Sequence, residues 1–398
     1  MSDLFSEPPP SSRRPAGKAA KPAAQPDTGA TPAYDASAIE VLEGLEPVRR
    51  RPGMYIGGTD ETALHHLAAE VLDNAMDEAV AGHASTIDVT LSVGNRLTIR
   101  DNGRGIPVDP HPRFPDRSAL EVILTTLHAG GKFSGKAYAT SGGLHGVGSS
   151  VVNALSSRME VEIARDRAIW QQAYERGLPV TPLEKTGATQ NRRGTQIAFV
   201  PDTQIFGTHQ FVPARLYKLC RSKAFLFRGV TIRWACDPAL IKSGDDTPTE
   251  AVLHFPGGLA DSLTDELGPN APLLTPLWAG DAALPPAADG TDNGRVEWAV
   301  AFLESGSAAL ASYCNTIPTP QGGTHETGFR NALVKGLRTW GDQRSNKKAA
   351  AITAEDVLGS IAAKLSVFIR DPQFQGQTKE KLTSSEASKL VETALRDR

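Results

Sequence analysis

The sequence predicts an α+β chain of two domains behind a polar tail, and three observations carry that reading. Apolar residues recur at helical spacing over 61–81 and then at strand spacing over 87–99, a change of period from 3.6 to 2. Glycine-punctuated turns separate further helix-period and strand-period stretches as far as residue 235. After a Pro/Gly-interrupted region to about residue 295, a second α/β unit starts at Val296. The expected division is a tail at 1–33, a first domain at 34–235 and a second at 236–398.

The tail holds seven prolines among Ala, Ser and Lys, with no periodic apolar pattern. Such a segment buries too little surface to offset its ordering entropy and is expected to be disordered. Ile39, Val41, Leu42, Leu45 and Val48 then form a short amphipathic stretch that stops at Arg51-Pro52-Gly53, a breaker signal. Asp60 is placed to cap the helix at 61–81, which gathers Leu64, Leu67, Ala68, Val71, Leu72, Ala75 and Ala79 on one stripe and ends at Gly82. Ile87, Val89 and Leu91 alternate, Gly94-Asn95 turns, and Leu97 and Ile99 alternate back, a hairpin. A helix at 118–129, a mobile glycine-rich loop from Gly130 to Gly143, a helix from 149, strands within 158–200, a helix near 209–225 and a strand at 231–234 complete the first domain. In the second, strands at 296–303 and 310–317 precede helical texture at 325–340 and 353–369, a loop at 371–382 and a last helix.

Composition excludes several classes. The 42 basic and 45 acidic residues leave a net charge of −3, which argues against a protein whose main surface grips nucleic acid, although a local basic groove stays open. Cys220, Cys236 and Cys314 are scattered without a C-x-x-C, so neither a zinc site nor a disulfide framework is supported and a reducing compartment fits. No apolar run approaches the roughly 18–20 residues that span a bilayer, and the start of the chain lacks the apolar stretch of a signal peptide. A soluble, cytoplasmic protein with no membrane partner is the expectation.

The chemistry starts on the first long helix. Glu70, Asn74 and Glu78 are spaced four apart and share one face, with His66 four before Glu70. A His so placed can orient a carboxylate acting as general base toward water. Asn74 offers a neutral oxygen to a hard cation such as magnesium. An isolated E-x-x-x-N is in the first place the pattern of a solvated helix face, and the signal is weak alone. Asp101 ends a predicted strand within DNGRG, where it can accept a hydrogen bond from an exocyclic amine such as adenine presents, or cap its own turn. GGLHGVG (142–148), running into a helix, has the composition of an anion cradle. It is not a Walker P-loop, and no dinucleotide fingerprint accompanies it. The order decides: carboxylate-Asn helix, Asp-Gly turn, glycine loop and then Gly194-Thr195 on a strand.

That array resembles the GHKL ATPases, the superfamily of gyrase and topoisomerase IV B subunits, MutL-type mismatch-repair proteins, chaperones and histidine kinases. YDASAIEVLEGLEPVRRRPGMYIG (34–57), HAGGKF (128–133), GGLHGVG, IPTPQGGTHETGF (317–329) and DPQFQGQTKEKL (371–382) are similar nearly letter for letter to the type IIA DNA topoisomerases, over roughly residues 34–390. The resemblance implies a GHKL (Bergerat) ATPase sandwich followed by a smaller transducer domain of the ribosomal-protein-S5-like type. It implies ATP and magnesium as ligands, with Glu70 as general base, His66 its partner and Asn74 the magnesium ligand. Asp101 would bind the adenine amine, with Thr195 assisting through water and Arg104, Gly105 and Pro107 lining the base pocket. Lys132, Tyr138 and Gly143, Leu144, His145, Gly146, Val147 and Gly148 would form a lid over the phosphates. Gln377 and Lys379 would reach the γ-phosphate from the second domain, while Tyr34 and Ile39 would belong to an arm crossing to a partner copy.

Arg165 resembles the pocket-rim arginine engaged by aminocoumarin inhibitors. IPTPQGGTH favours the topoisomerase IV B subunits over gyrase, with another GHKL clamp such as a MutL-type protein as a further alternative. The implied partners are a second copy of the chain in an ATP-dependent homodimer, the A subunit of topoisomerase IV, and double-stranded DNA. Arg330, Lys335, Arg338, Arg344, Lys347 and Lys348 could face that DNA or simply form a solvated helix face. No E-G-D-S-A-type acidic motif is present, so an N-terminal ATPase-plus-transducer portion without DNA cleavage is expected.

Overall fold

The apolar stripe over 61–81 becomes the helix Glu61–Val80, whose Asp60 side chain accepts from the Ala63 N–H at 2.8 Å. That cap satisfies one of the donors a helix start leaves orphaned. The computed structural model describes residues 39–131, 140, 146–304, 309–376, 378–396 and 398. The expected hairpin is present as Thr86–Ser92 and Arg96–Asp101, turning through Gly94 (φ 74°) and Asn95 (φ 59°), left-handed residues that let a tight turn follow the strand twist.

These strands lie inside a nine-stranded sheet among the described residues. Its order is Glu250–Leu253, Thr231–Cys236, Thr86–Ser92, Arg96–Asp101, Gly194–Pro201, Ser156–Arg165, Ala168–Glu175 and Leu178–Pro179, with Glu184–Ala188 also paired to Ala168–Glu175. Thr86–Ser92 runs parallel to Thr231–Cys236, and the other pairings are antiparallel. Helices Glu61–Val80, Gly148–Ala154 and Pro213–Leu226 share the core on one face, where Leu64, Leu67, Met76, Ile87, Leu97, Val152 and Leu216 are buried. Asp88, Thr90, Thr98 and Arg100 alternate onto the other face and are partly exposed, the pattern of an antiparallel sheet packed on one side.

A five-stranded sheet follows, ordered Trp278–Ala283, Arg295–Phe302, Ile361–Phe368, Ala309–Cys314 and Ile317–Pro318. Helices Thr324–Gln343 and Ser385–Leu395 cover one side through Phe329, Leu333, Val391 and Leu395. On the other side, Leu259 and Leu263 of helix Leu259–Leu267 join Leu226 against Ala299, Ala301 and Ala362, so the two sheets are linked through an apolar seam.

Several elements depart from the sequence expectation. The helical texture at 353–369 resolves into the helix Ala354–Leu358 and the strand Ile361–Phe368, whose eight residues are all buried. A run apolar on both sides has no period that separates helix from strand. The helix expected at 118–129 stops at Thr125, because Thr126 turns extended (φ −126°, ψ 129°). The helix expected from 209 starts at Pro213, where a missing N–H costs nothing. The Pro/Gly-interrupted stretch contains a strand of the first sheet, Glu250–Leu253, as well as Leu259–Leu267 and Trp278–Ala283. Among the described residues, no helix is long and apolar enough to cross a membrane.

Candidate functional site

Asp101 ends its strand with 7% of its surface exposed, tucked under the turn it begins. Its carboxylate accepts from the Gly103 N–H at 2.8 Å and from the Thr195 N–H at 3.4 Å. Burial pushes the Asp101 carboxyl up to about 6, and nearby Glu78 adds to the rise against the lowering effect of the two N–H donors. A carboxylate held this dry gains from any further donor that reaches it. The Thr195 hydroxyl accepts from the Ile106 N–H at 3.2 Å, so strand Gly194–Pro201 and the 101–107 turn are tied at two points.

Glu78 clasps the turn from the helix. It accepts from the Arg104 backbone N–H at 3.0 Å, from Nε at 3.2 Å and from Nη2 at 2.6 Å. This two-oxygen pairing fixes the guanidinium plane as well as its distance. Arg165 donates to the Gly105 carbonyl at 2.9 Å, placing its guanidinium at the edge of the same turn, and Pro107 is exposed beyond it.

Eight residues before Glu78, or about 12 Å along the helix axis, Glu70 faces the end of the glycine loop. A Cβ on Gly148 would meet the Glu70 carboxylate, so the carboxylate lies directly against the glycine-loop end and would have to swing aside for any larger residue there. Between them, Asn74 donates from Nδ2 to the Ser149 hydroxyl at 3.1 Å, which sets the orientation of its amide. The Ala129 N–H reaches the Gly146 carbonyl at 3.2 Å, so the two ends of the intervening loop meet. Val147 is buried at the helix start. His66 is partly exposed one turn before Glu70, and among the described residues no hydrogen bond joins the pair. His65 is the engaged neighbour: Nε2 accepts from the Val212 N–H at 3.0 Å, so Nδ1 carries the proton given to the Glu61 carbonyl at 2.7 Å. Burial lowers the His65 pKa, and its bonds are to backbone alone.

The loop at 371–382 is built against PQGGTHE. Leu382 N–H donates to the Gly322 carbonyl and Thr324 N–H to the Leu382 carbonyl, both at 3.1 Å. A Cβ on Gly323, at φ 147°, would collide with the Leu382 backbone. Gln321 and Glu380 bond through both backbone and side chain. Lys379 is 6% exposed and left-handed, at φ 57°. Next to it, the Thr378 methyl lies 3.6 Å from where a Cβ of Gly57 would stand, so the loop touches the first domain.

The structure therefore gathers Asp101, Arg104, Gly105 and Thr195 at one end of helix Glu61–Val80, and Glu70, Asn74 and Gly148 farther back along it. Tyr34, Lys132, Tyr138, Gly143, Leu144, His145 and Gln377 lie outside the described residues. Sequence reading placed Glu78 on this face without a role, although its four-residue spacing from Asn74 was the available signal. Of the basic residues considered for DNA, Arg330 pairs with Glu326 at 3.1 Å, Lys335 pairs with Glu392, and Arg338 donates to the Ile352 carbonyl. Among the described residues, no group of three or more His, Cys, Asp or Glu side chains could hold a metal. A cation here would take carboxamide, water and phosphate oxygens, hard ligands that suit magnesium, and the Asn74 carboxamide oxygen fits that chemistry.

Residues 59–205 match the family described as histidine kinase-, DNA gyrase B- and HSP90-like ATPase, and 262–398 match the DNA gyrase B family. The B subunit of DNA topoisomerase 4 from Caulobacter vibrioides is 56% identical over 92% of this chain and 52% of its own length. The B subunit of DNA gyrase from Chlamydia pneumoniae is 43% identical over 90% of this chain and 44% of its own length. This chain thus spans about half the length of the curated relatives it matches. The 43K ATPase domain of Thermus thermophilus gyrase B, solved with an aminocoumarin, superposes with a TM-score of 0.70 at 34% identity, covering 89% of this chain and 88% of that one. The chain belongs to the GHKL ATPase family of type II DNA topoisomerase B subunits, on the side of topoisomerase IV.

Proposed function

We propose that this chain is the ATP-binding and hydrolysing gate of a topoisomerase IV, dimerising on nucleotide to drive strand passage, decatenation and chromosome segregation. The observation that carries the proposal is the single helix Glu61–Val80. Through Glu78 it holds the turn that frames Asp101, and through Glu70 and Asn74 it meets the glycine-loop end at Gly148 and Ser149. One rigid element thereby spaces a base pocket from a phosphate site.

Asp101 accepts the adenine amine, with Thr195 assisting and Arg104, Gly105 and Pro107 bounding the base. Glu70 takes the proton of the attacking water, with His66, one turn earlier on the same helix, assigned as its partner once nucleotide is bound. Asn74 holds magnesium, which when bound neutralises charge on the phosphate oxygens. Lys132, Tyr138 and residues 143–148 close over the phosphates. Gln377 and Lys379 approach the γ-phosphate, where a fixed cation stabilises charge that develops in the transition state. Tyr34 and Ile39 complete the site of a partner copy. Arg165 at the turn's edge is the contact for aminocoumarin-type inhibitors.

The domains are a tail at 1–33, an ATPase domain expected at 34–235 and a transducer expected at 236–398, with Glu250–Leu253 extending the ATPase sheet past that boundary. The topoisomerase IV A subunits and double-stranded DNA are the partners of the whole enzyme. The higher identity to a topoisomerase 4 relative than to a gyrase one places gyrase second. The purified chain is expected to hydrolyse ATP with magnesium, at a turnover per chain that rises with protein concentration because only the paired form is complete. Turnover per chain that stays flat across a wide dilution series contradicts the paired gate.

A further inference from the structure

Among the described residues, Lys223 is the most deeply buried lysine side chain that the proposed mechanism leaves unused. It lies in helix Pro213–Leu226 with 2% of its side chain exposed, and its ammonium makes two contacts to different parts of the chain. One is an ion pair with Asp73 Oδ1 at 2.5 Å, on helix Glu61–Val80, directly before Asn74 and three residues after Glu70. The other is a hydrogen bond donated to the Thr316 carbonyl at 2.6 Å, in the second sheet. Burying an ammonium costs free energy that a solvated surface lysine does not lose. Here that cost goes into a bridge between the helix of the candidate site and the sheet that carries Lys379.

The receiving turn is itself constrained. Asn315 (φ 49°) and Thr316 (φ 66°) are both left-handed and 2% exposed, between Ala309–Cys314 and Ile317–Pro318. A β-branched residue holds such a conformation only where its surroundings over-determine it. The Lys223 bond to Thr316 is one such determinant. The other is Asn315, whose amide donates to the Ile369 carbonyl and whose oxygen accepts from the Ile369 N–H, both at 2.9 Å. Ile369 is the last buried residue before the loop at 371–382. The contacts therefore run Asp73, Lys223, Thr316–Asn315, Ile369 and then the root of the loop that bears Lys379.

We propose that Lys223 is a positioning residue, holding the root of the 371–382 loop in fixed relation to helix Glu61–Val80 so that Lys379 and Glu70 act on the same phosphate. It touches neither substrate nor reacting atoms. The proposal rests on the roles given to Glu70 and Lys379 above, and its two readouts keep the failures apart.

The first readout needs no nucleotide. In Lys223→Met, amide exchange is expected to quicken at Gln375 and Thr383, whose N–H groups close the loop on Lys381 and Gln373, while strand Ser156–Arg165 keeps its protection. The second is a kinetic split: kcat falls about 10-fold, short of the roughly 100-fold that misplacing a reacting group by about 1 Å can cost, with KM and ADP affinity little changed. A Lys223→Met/Lys379→Ala double variant is no slower than Lys379→Ala alone. Asp73→Asn, which keeps the volume and an acceptor, shows smaller shifts in the same directions and serves if Lys223→Met does not fold. Unchanged exchange in the loop overturns the proposal, as does a kcat within twofold of the parent or losses that multiply with those of Lys379→Ala. Quickened loop exchange together with turnover indifferent to Lys379→Ala would instead overturn the role given to Lys379.

Discussion

Glu70→Ala is expected to bind ATP nearly as well as the parent and to hydrolyse it about 10²–10⁴-fold more slowly, the range for losing a positioned general base. The two effects separate because the site is divided along one helix. The Glu70 carboxylate abuts Gly148, whereas the contacts assigned to the base lie at the Asp101 turn, clasped by Glu78 eight residues on. Removing the carboxylate leaves that turn and its bonds to Thr195 in place. Transition-state stabilisation is lost while ground-state binding is kept, so kcat falls without a matching rise in KM. Calorimetric titration beside a steady-state assay checks this. Undiminished turnover would remove Glu70 from the mechanism, and a parallel loss of affinity would make it a binding residue.

Asp101→Asn is expected to do the reverse, weakening adenine-nucleotide binding by about 100-fold, the upper end for a lost charge-assisted hydrogen bond, while stabilising the nucleotide-free protein. The second effect follows from burial. The Asp101 carboxyl is pushed up from 3.8 to about 6, chiefly by desolvation. A folded pKa above the unfolded one contributes stability that is fully present below pH 3.8 and is lost as pH rises through about 6. At pH 8 the ionised group therefore costs up to about 3 kcal/mol, at 1.36 kcal/mol for each pK unit. Asn carries no charge to desolvate, and its oxygen can still accept from the Gly103 and Thr195 N–H groups. Thermal melts should show the variant above the parent at pH 8, with the difference closing by pH 4. In the parent, nucleotide affinity should fall as pH drops below about 6, where the acceptor protonates. Equal melting at pH 8 together with unchanged affinity would contradict the assignment.

The parts of the site that sequence made legible share a local rule. The Asp60 cap, the apolar stripe of Glu61–Val80 and the Gly94-Asn95 turn are each decided within a few residues, and Glu70, Asn74 and Glu78 follow from helical spacing alone. What escaped depended on distant partners. Ile361–Phe368 is a strand because neighbours bury both its faces, and no period within it says so. Nothing near Lys223 in sequence marks its role, because its partners are 150 and 93 positions away. Its spacing from buried Leu216 and Cys220 did put it on the apolar face, which was the available sign. Gly323 was legible as part of a motif, but its reason, the backbone of Leu382, lies 59 residues beyond it.

The central claim is that nucleotide closes two copies of this chain into a gate. Sedimentation of the purified chain with and without a non-hydrolysable ATP analogue and magnesium tests it most directly. The account predicts a monomer without nucleotide, a dimer with the analogue, and a monomer under both conditions for Asp101→Asn at analogue concentrations that saturate the parent. A parent chain whose mass is the same with and without saturating analogue would contradict it.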